Sequence, residues 1–314
     1  MLKPYLQKIK PSGFRAAMAG ATDGSRLVPV DATWYMPNVS RDAKSEFLNQ
    51  ERIKEAVFFD LDKLCLPDSK YPHMLPTLDS FNREIGKLGI KKTDRLVIYD
   101  REGIFSAPRV AWQFSLYGHP QVYFLDNYKD YKGAQYPIRT EKVDSLSPYE
   151  PTKYEGINED QFQANYRQQV IDYDELLNLV KSGELPKKYF LFDARPKPRF
   201  TGEAPEPRPG LSSGHIPGSF SLPFKNLLSS TNNYKSKQEI IELFQNDYNI
   251  DLTDPKFLKE REGIIVSCGS GVTAVILKLA LESIVGLDVP IRVYDGSWSE
   301  WADRAPTEFI IKDV

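Results

Sequence analysis

The 314-residue sequence predicts an α/β protein made of two tandem domains, each an open parallel sheet flanked by helices. Three observations carry that expectation. Corresponding landmarks recur in the two halves at offsets of 162, 168 and 169 positions, close enough to mark a duplicated domain rather than a solenoid. The apolar runs are short, β-rich and non-alternating, as strands buried on both faces of a parallel sheet require. Helical patterns lie between them.

Taken in order, the first half opens with L-V-P-V-D-A-T-W-Y over 27–35, an apolar run closed by Asp31, and the second with Y-F-L-F-D-A-R over 189–195, closed by Asp193. A second pair of runs follows: L-V-I-Y-D ends at Asp100 and I-I-V-S-C ends at Cys268. Each leads into a glycine-containing loop and a small-residue helix, 107–117 in one half and 272–284 in the other. The third pair is V-Y-F-L-D at Asp126 and I-R-V-Y-D at Asp295, which continue into N-Y-K-D-Y and G-S-W-S-E-W. The expected organisation is therefore an N-terminal domain over 1–137, a polar linker over 138–170 holding Pro148 and Pro151, and a C-terminal domain over 171–314. A Pro- and Gly-rich loop from Lys197 to Gly218 interrupts the second half, and long irregular loops inside a domain usually serve function.

Composition narrows the function. The chain is 41% hydrophobic and 27% charged, with net charge −2, so it has a globular core and no global positive field for nucleic acid or an anionic membrane. No apolar run approaches the roughly 20 residues of a spanning helix. Two cysteines do not make a disulfide scaffold and suit a reducing compartment. No Cys/His cluster calls for a metal, and no organic cofactor is expected. Lys3, Lys8, Lys10 and Arg15, without an acid in the first 22 residues, resemble a weak mitochondrial leader. The competing expectation, favoured here, is a short helix over Gly13–Ala19 capped by Ser12. Cytosol is the default compartment and mitochondria the alternative.

Chemistry concentrates at Cys268. The segment I-I-V-S-C-G-S-G-V-T-A places the thiol where a buried strand yields to Gly269-Ser270-Gly271 and then a helix. Glycines let successive amides turn inward around one atom, and the helix start adds its positive end. Such a cradle favours a thiolate, or a persulfide. Cys65, in L-D-K-L-C-L-P, has no such cradle and reads as inert.

F-F-D-L-D, P-H-M-L-P, S-A-P-R, P-E-P-R, S-G-H-I-P-G, C-G-S-G-V-T-A and Y-D-G-S-W-S-E-W occur in this order. The set resembles the thiosulfate and 3-mercaptopyruvate sulfurtransferases, tandem rhodanese-like proteins, over about residues 25–305, and especially the fungal branch linked to thiolation of tRNA wobble uridines. The resemblance implies a first domain without a nucleophile, Asp100 standing at the matching strand end, and a catalytic second domain. It implies Cys268 as the sulfur carrier, with Gly269, Gly271, Val272 and Thr273 completing the loop that binds the transferred sulfur. It also implies Arg199 and Arg208 on the substrate carboxylate and keto group, which guanidinium forks suit. The alternative for both is solvation, or pairing with Glu203 and Glu206. The family usually has Gly where this chain has Pro198, so Arg208 is the firmer expectation. Arg195 is expected to anchor the strand end. A relay of Ser270, His73 and Asp62 matches the family's proposed Ser/His/Asp set and requires the first domain to cover the loop of the second. His119 and His215 are expected to serve turns and packing.

The implied reaction takes sulfur from 3-mercaptopyruvate or thiosulfate onto Cys268 and hands it to cyanide or a thiol such as thioredoxin, with ping-pong kinetics. Neutral Gly269 and Ser270 favour the carboxylate donor. A relay protein passing persulfide from a cysteine desulfurase to a sulfur-activating enzyme of tRNA thiolation is the variant reading. A rhodanese-like phosphatase needs an arginine six residues past the cysteine, where this chain has Ala274. An inactive interaction module would lack the cysteine.

Overall fold

Each apolar run marked above forms a strand, and each landmark residue stands at or just past its end. In a computed structural model, which describes residues 5–19, 25–258 and 261–314, the chain resolves into two units. The first comprises residues up to Asp68, Leu75–Asn165 and Thr231–Asn233; the second comprises Ser69–Met74, Tyr166–Ser230 and Tyr234–Val314.

The first unit holds β1 (Tyr5–Ile9), β2 (Leu27–Asp31), β3 (Arg52–Ile53), β4 (Val57–Phe58), β5 (Arg95–Tyr99), β6 (Gln121–Leu125) and β7 (Ile138–Arg139). Its helices are α1 (Pro11–Ala19), α2 (Ala43–Asn49), α3 (Leu78–Lys87), α4 (Ala107–Leu116) and α5 (Tyr128–Gly133). The main sheet is parallel with order β1-β6-β5-β2-β4, while β3 and β7 pair antiparallel. Phe47, Phe58, Val97, Tyr99 and Leu125 pack one face of the core.

After α6 (Glu159–Gln169) come β8 (Val170–Ile171), α7 (Tyr173–Lys181), α8 (Leu185–Lys188), β9 (Tyr189–Asp193), α9 (Lys197–Thr201), β10 (Ser219–Ser221), α10 (Lys237–Tyr248), β11 (Gly263–Ser267), α11 (Ala274–Leu279), β12 (Ile291–Tyr294) and α12 (Ser297–Arg304). The second sheet is parallel with order β10-β9-β11-β12-β8. Written from the other edge, the first sheet has the same plan, with β5 in the place of β11. Leu176, Leu191, Ile265, Tyr294 and Trp301 form the core on the α7 and α12 side. Local signals set the helix starts: Asp172 caps α7, and Ser236 with Glu239 forms a reciprocal capping box on α10.

Several boundaries differ from expectation. Helix α1 begins at Pro11, whose missing N–H is harmless in a first turn, so Ser12 lies inside it rather than capping it. Tyr5–Ile9 joins the sheet edge beside β6, where a Lys- and Gln-bearing strand is tolerated. Lys3 lies outside the described residues. The stretch 138–170 carries β7 and α6, a polar helix with Phe162 as its buried residue. The helix expected from Val272 starts at Ala274 and relaxes into a π-helical turn over Ala280–Val285. No described helix is long and apolar enough to cross a membrane.

Candidate active site

Between β9 and β11 the chain departs toward opposite edges of the sheet, and such switch points collect ligands at the strands' carboxyl ends. Asp193 ends β9 and pairs in register with Ser267, the last residue of β11. Cys268 follows, with 1% of its surface exposed.

The loop after Cys268 is held from its carbonyl side. Trp298 N–H donates to the Cys268 carbonyl at 2.9 Å, and the Ser299 N–H and hydroxyl donate to the Gly269 carbonyl at 2.9 and 2.6 Å. In a trans peptide the C=O and the following N–H point opposite ways. The Gly269 and Ser270 amides therefore face away from α12. Gly271 then turns the chain at φ +76°, a left-handed conformation in which a Cβ is strained. Cys268 N–H donates to Ser297 Oγ at 3.2 Å, and the same hydroxyl donates to Tyr294 O at 2.7 Å. Ser297 is fully buried at φ +51°, an uncommon conformation for a side-chain-bearing residue. Val272 is buried beyond the turn, and Thr273, half-buried, precedes α11 without a side-chain cap bond.

His73 and Ser270 are brought together. The imidazole Nδ1 lies 3.0 Å from Ser270 Oγ, and both residues are buried. The segment carrying His73 is tied to α12: Lys70 Nζ donates to Asp303 at 2.7 and 2.6 Å, and Tyr71 OH donates to it at 2.7 Å. These bonds, Lys70 first, hold the Asp303 carboxyl below its ordinary range. One helix thus fixes the thiol loop at its start and the histidine segment one residue from its end. Asp62, the third member of the expected relay, is exposed in the first unit, where it accepts the Trp34 indole N–H at 3.0 Å.

Among the expected arginines, Arg199 reaches the loop. A Cβ placed on Gly269 would lie 3.2 Å from its Nη2, so a glycine there makes room for the guanidinium. Arg199 also forks onto Glu206, its Nε at 3.2 and 3.1 Å from the two carboxylate oxygens and its Nη2 on Oε2. Glu206 also takes Arg195 Nη1 at 2.8 Å. Arg195 is wholly buried over the Trp298 ring at 4.2 Å, bonded to Asp193 and the Gly214 carbonyl. The strand-end anchor is thus Arg195, as expected, while Arg199 has both the loop and Glu206. Pro198 does not disrupt this: α9 starts at Lys197, so Pro198 falls in the first turn, where an N–H is dispensable. Arg208 is half-buried further along the same loop.

The remaining candidates are structural. His119 sits between Tyr154 OH (2.9 Å) and Asp94 O (2.8 Å), and His215 stacks on Phe200 at 4.0 Å. Cys65 lies half-buried with its thiol 3.1 Å from Asp62 O. Among the described residues no group of three His, Cys, Asp or Glu could hold a metal ion. Sequence reasoning passed over Ser297, Trp298, Ser299 and Asp303, although the first three lie in G-S-W-S-E-W. The available signal was that small polar residues directly follow the strand beside β11.

A cysteine past the central strand of a five-stranded parallel sheet, paired with a hydroxyl–imidazole couple and an arginine, defines a rhodanese-type nucleophile domain. The rhodanese-like domain family matches residues 172–304, the half with Cys268. The chain is 42% identical to thiosulfate sulfurtransferase TUM1 of Saccharomyces cerevisiae, across 99% of both proteins. It is 38% identical to thiosulfate/3-mercaptopyruvate sulfurtransferase 1, mitochondrial, of Arabidopsis thaliana, across 88% of this chain and 71% of that one. The crystal structure of the Saccharomyces cerevisiae Tum1 protein superposes with a TM-score of 0.89 at 41% identity, covering 99% of each chain. The chain belongs to the thiosulfate/3-mercaptopyruvate sulfurtransferase family: it is a sulfurtransferase of two tandem rhodanese domains.

Proposed function

We propose that Cys268 takes sulfur from 3-mercaptopyruvate, and less readily from thiosulfate, and passes it to a thiol or cyanide. The observation that carries this reading is the 3.0 Å contact of His73 Nδ1 with Ser270 Oγ, two residues past the nucleophile. The Cys268 thiolate attacks the donor sulfur, and the carbon–sulfur bond breaks toward carbon. The enolate of pyruvate leaves and needs a proton, which the donor thiol no longer needs once its sulfur is bonded to Cys268. A hydroxyl and an imidazole in contact can carry that proton from sulfur to carbon. Arg199, with Arg208 further along the loop, meets the donor carboxylate. Thiosulfate releases sulfite instead, with no proton to move. An acceptor thiolate then attacks the outer sulfur and restores Cys268.

The acceptor is a small thiol or a protein thiol such as thioredoxin, and the compartment is the cytosol or the mitochondrion. Neutral residues at 269 and 270 support the carboxylate donor. The test is intact mass after exposure to 3-mercaptopyruvate. The wild type is expected to gain one sulfur atom and Cys268→Ser none. Active wild-type protein whose mass never changes would overturn the persulfide.

A further inference from the structure

The first unit keeps an anion cradle at the position equivalent to Cys268, and it is filled. Asp100 follows β5 as Cys268 follows β11, is fully buried, and forms no ion pair among the described residues. One carboxylate oxygen accepts the Glu102 N–H at 3.0 Å. The other accepts three amides, from Phe105 and Ser106 at 3.0 Å and Ala107 at 2.8 Å. Two further features of the Cys268 loop recur. Gly103 stands three residues past Asp100 at φ +111°, as Gly271 stands three past Cys268. Asn232 at φ +62° donates to the Glu102 carbonyl at 3.2 Å, as His73 at φ +62° meets Ser270 in the other unit.

The chemistry explains why an aspartate fits. An aspartate oxygen and the outer sulfur of a cysteine persulfide are both terminal anionic atoms two bonds beyond Cβ. Amides that converge on one suit the other. We propose that the Asp100 carboxylate is a resident stand-in for a persulfide, and that the first unit contains a second anion site closed by its own side chain. Its ligand class is a small carboxylate or a terminal sulfur anion. The comparison with persulfide rests on the function proposed above; the anion site itself does not.

Removing CH2–COO⁻ from Asp100 leaves a space of acetate's size, so chemical rescue tests the site. The protein is full-length Cys268→Ser, with and without Asp100→Gly, and the probe is sodium acetate against sodium chloride at equal ionic strength. Asp100→Gly is expected to melt several degrees lower and to regain most of that loss saturably with acetate, while the Cys268→Ser parent responds equally to both salts. A variant that acetate does not raise above chloride, or a parent that responds as strongly, overturns the site. Should Asp100→Gly not fold, Asp100→Cys in a Cys65→Ser, Cys268→Ser background is treated with inorganic polysulfide. Its thiolate attacks a sulfur–sulfur bond and a shorter polysulfide leaves. A gain of one sulfur that is lost to cyanide supports the cradle, and an unmodified thiol refutes it. Failure of Cys268 to carry sulfur would leave the acetate result untouched, so the two readings fail separately.

Discussion

Glu206 sets how much positive charge the arginine loop presents. It is bonded to both Arg195 and Arg199, with its side chain 3% exposed, so one carboxylate neutralises part of each cation. Arg195 has Asp193 as well, whereas Arg199, in the reaction proposed above, shares its fork between Glu206 and the donor carboxylate. Removing one member of a buried charge network strands the others, and Glu206→Gln is expected to cost about 3 kcal/mol of stability, read as a lower denaturation midpoint. The proposed proton relay of Ser270 and His73 makes a sharper test. Ser270→Ala removes the hydroxyl that His73 contacts, and a positioned acid–base group is worth about 10²-fold or more. The kcat with 3-mercaptopyruvate is expected to fall by about that factor while turnover of thiosulfate changes little, because sulfite leaves without a proton. His73→Asn should produce the same donor-selective loss, and the double variant no more than either, since the two act as one unit. Equal losses with both donors would remove the relay and leave Ser270 a loop-packing residue.

At the scale of elements, α12 does the positioning. Its first residues fix the Cys268 and Gly269 carbonyls, and Asp303 near its end holds the His73 segment through Lys70 and Tyr71. The Lys70–Asp303 pair is largely exposed, and such pairs add little to stability. Asp303→Asn is therefore expected to leave the melting temperature nearly unchanged. The looser His73 lowers kcat for 3-mercaptopyruvate about tenfold, or about 1.4 kcal/mol of barrier, with the alkylation rate of Cys268 intact. A loss of alkylation would mean that Asp303 serves the thiol loop instead. The strands and their order of landmarks were legible because doubly buried parallel strands leave unbroken apolar runs, and the loop of Cys268 was legible because two glycines, 269 and 271, follow the thiol. What escaped were features without a hydrophobic signature. Edge strand β1 leaves residues 6–9 partly or fully exposed, and helix α6 buries Phe162, so their sequences look like a leader and a linker. Ser297 adopts a left-handed backbone that no glycine announces. The pairing of Arg199 with Glu206 was one of two open readings of the loop, and only three-dimensional placement shows the carboxylate serving two arginines. The partition that gives residues 69–74 to the second unit and 231–233 to the first is a property of tertiary contacts, invisible to local pattern.

For the molecule as a whole, two buried groups of the first unit make its acid response testable. His119 is pushed down to about 4, chiefly by burial, against its bond to the Asp94 carbonyl. An unfolded histidine binds a proton near pH 6.5, so between about 6.5 and 4 the unfolded state holds more protons and stability falls as pH falls. Asp100 has the opposite sign. Burial raises it to about 6 despite the amides of Ala107, Phe105 and Ser106, which pull it down. Between its ordinary value of 3.8 and about 6 the folded state holds more protons, so stability rises as pH falls. Each shift corresponds to about 3 kcal/mol, and their windows overlap between about pH 4 and 6. Within that window the two contributions largely cancel in the wild type. Replacing His119 with Asn removes one of them. Although the variant loses the ring's contacts with Tyr154 and is less stable at neutral pH, its denaturant midpoint relative to wild type is expected to recover steadily from pH 6.5 to 4. Adding Asp100→Asn should abolish the low-pH gain that Asp100 supplies. A His119→Asn curve parallel to wild type at every pH would show that the imidazole takes up its proton in the folded protein as readily as in the unfolded chain.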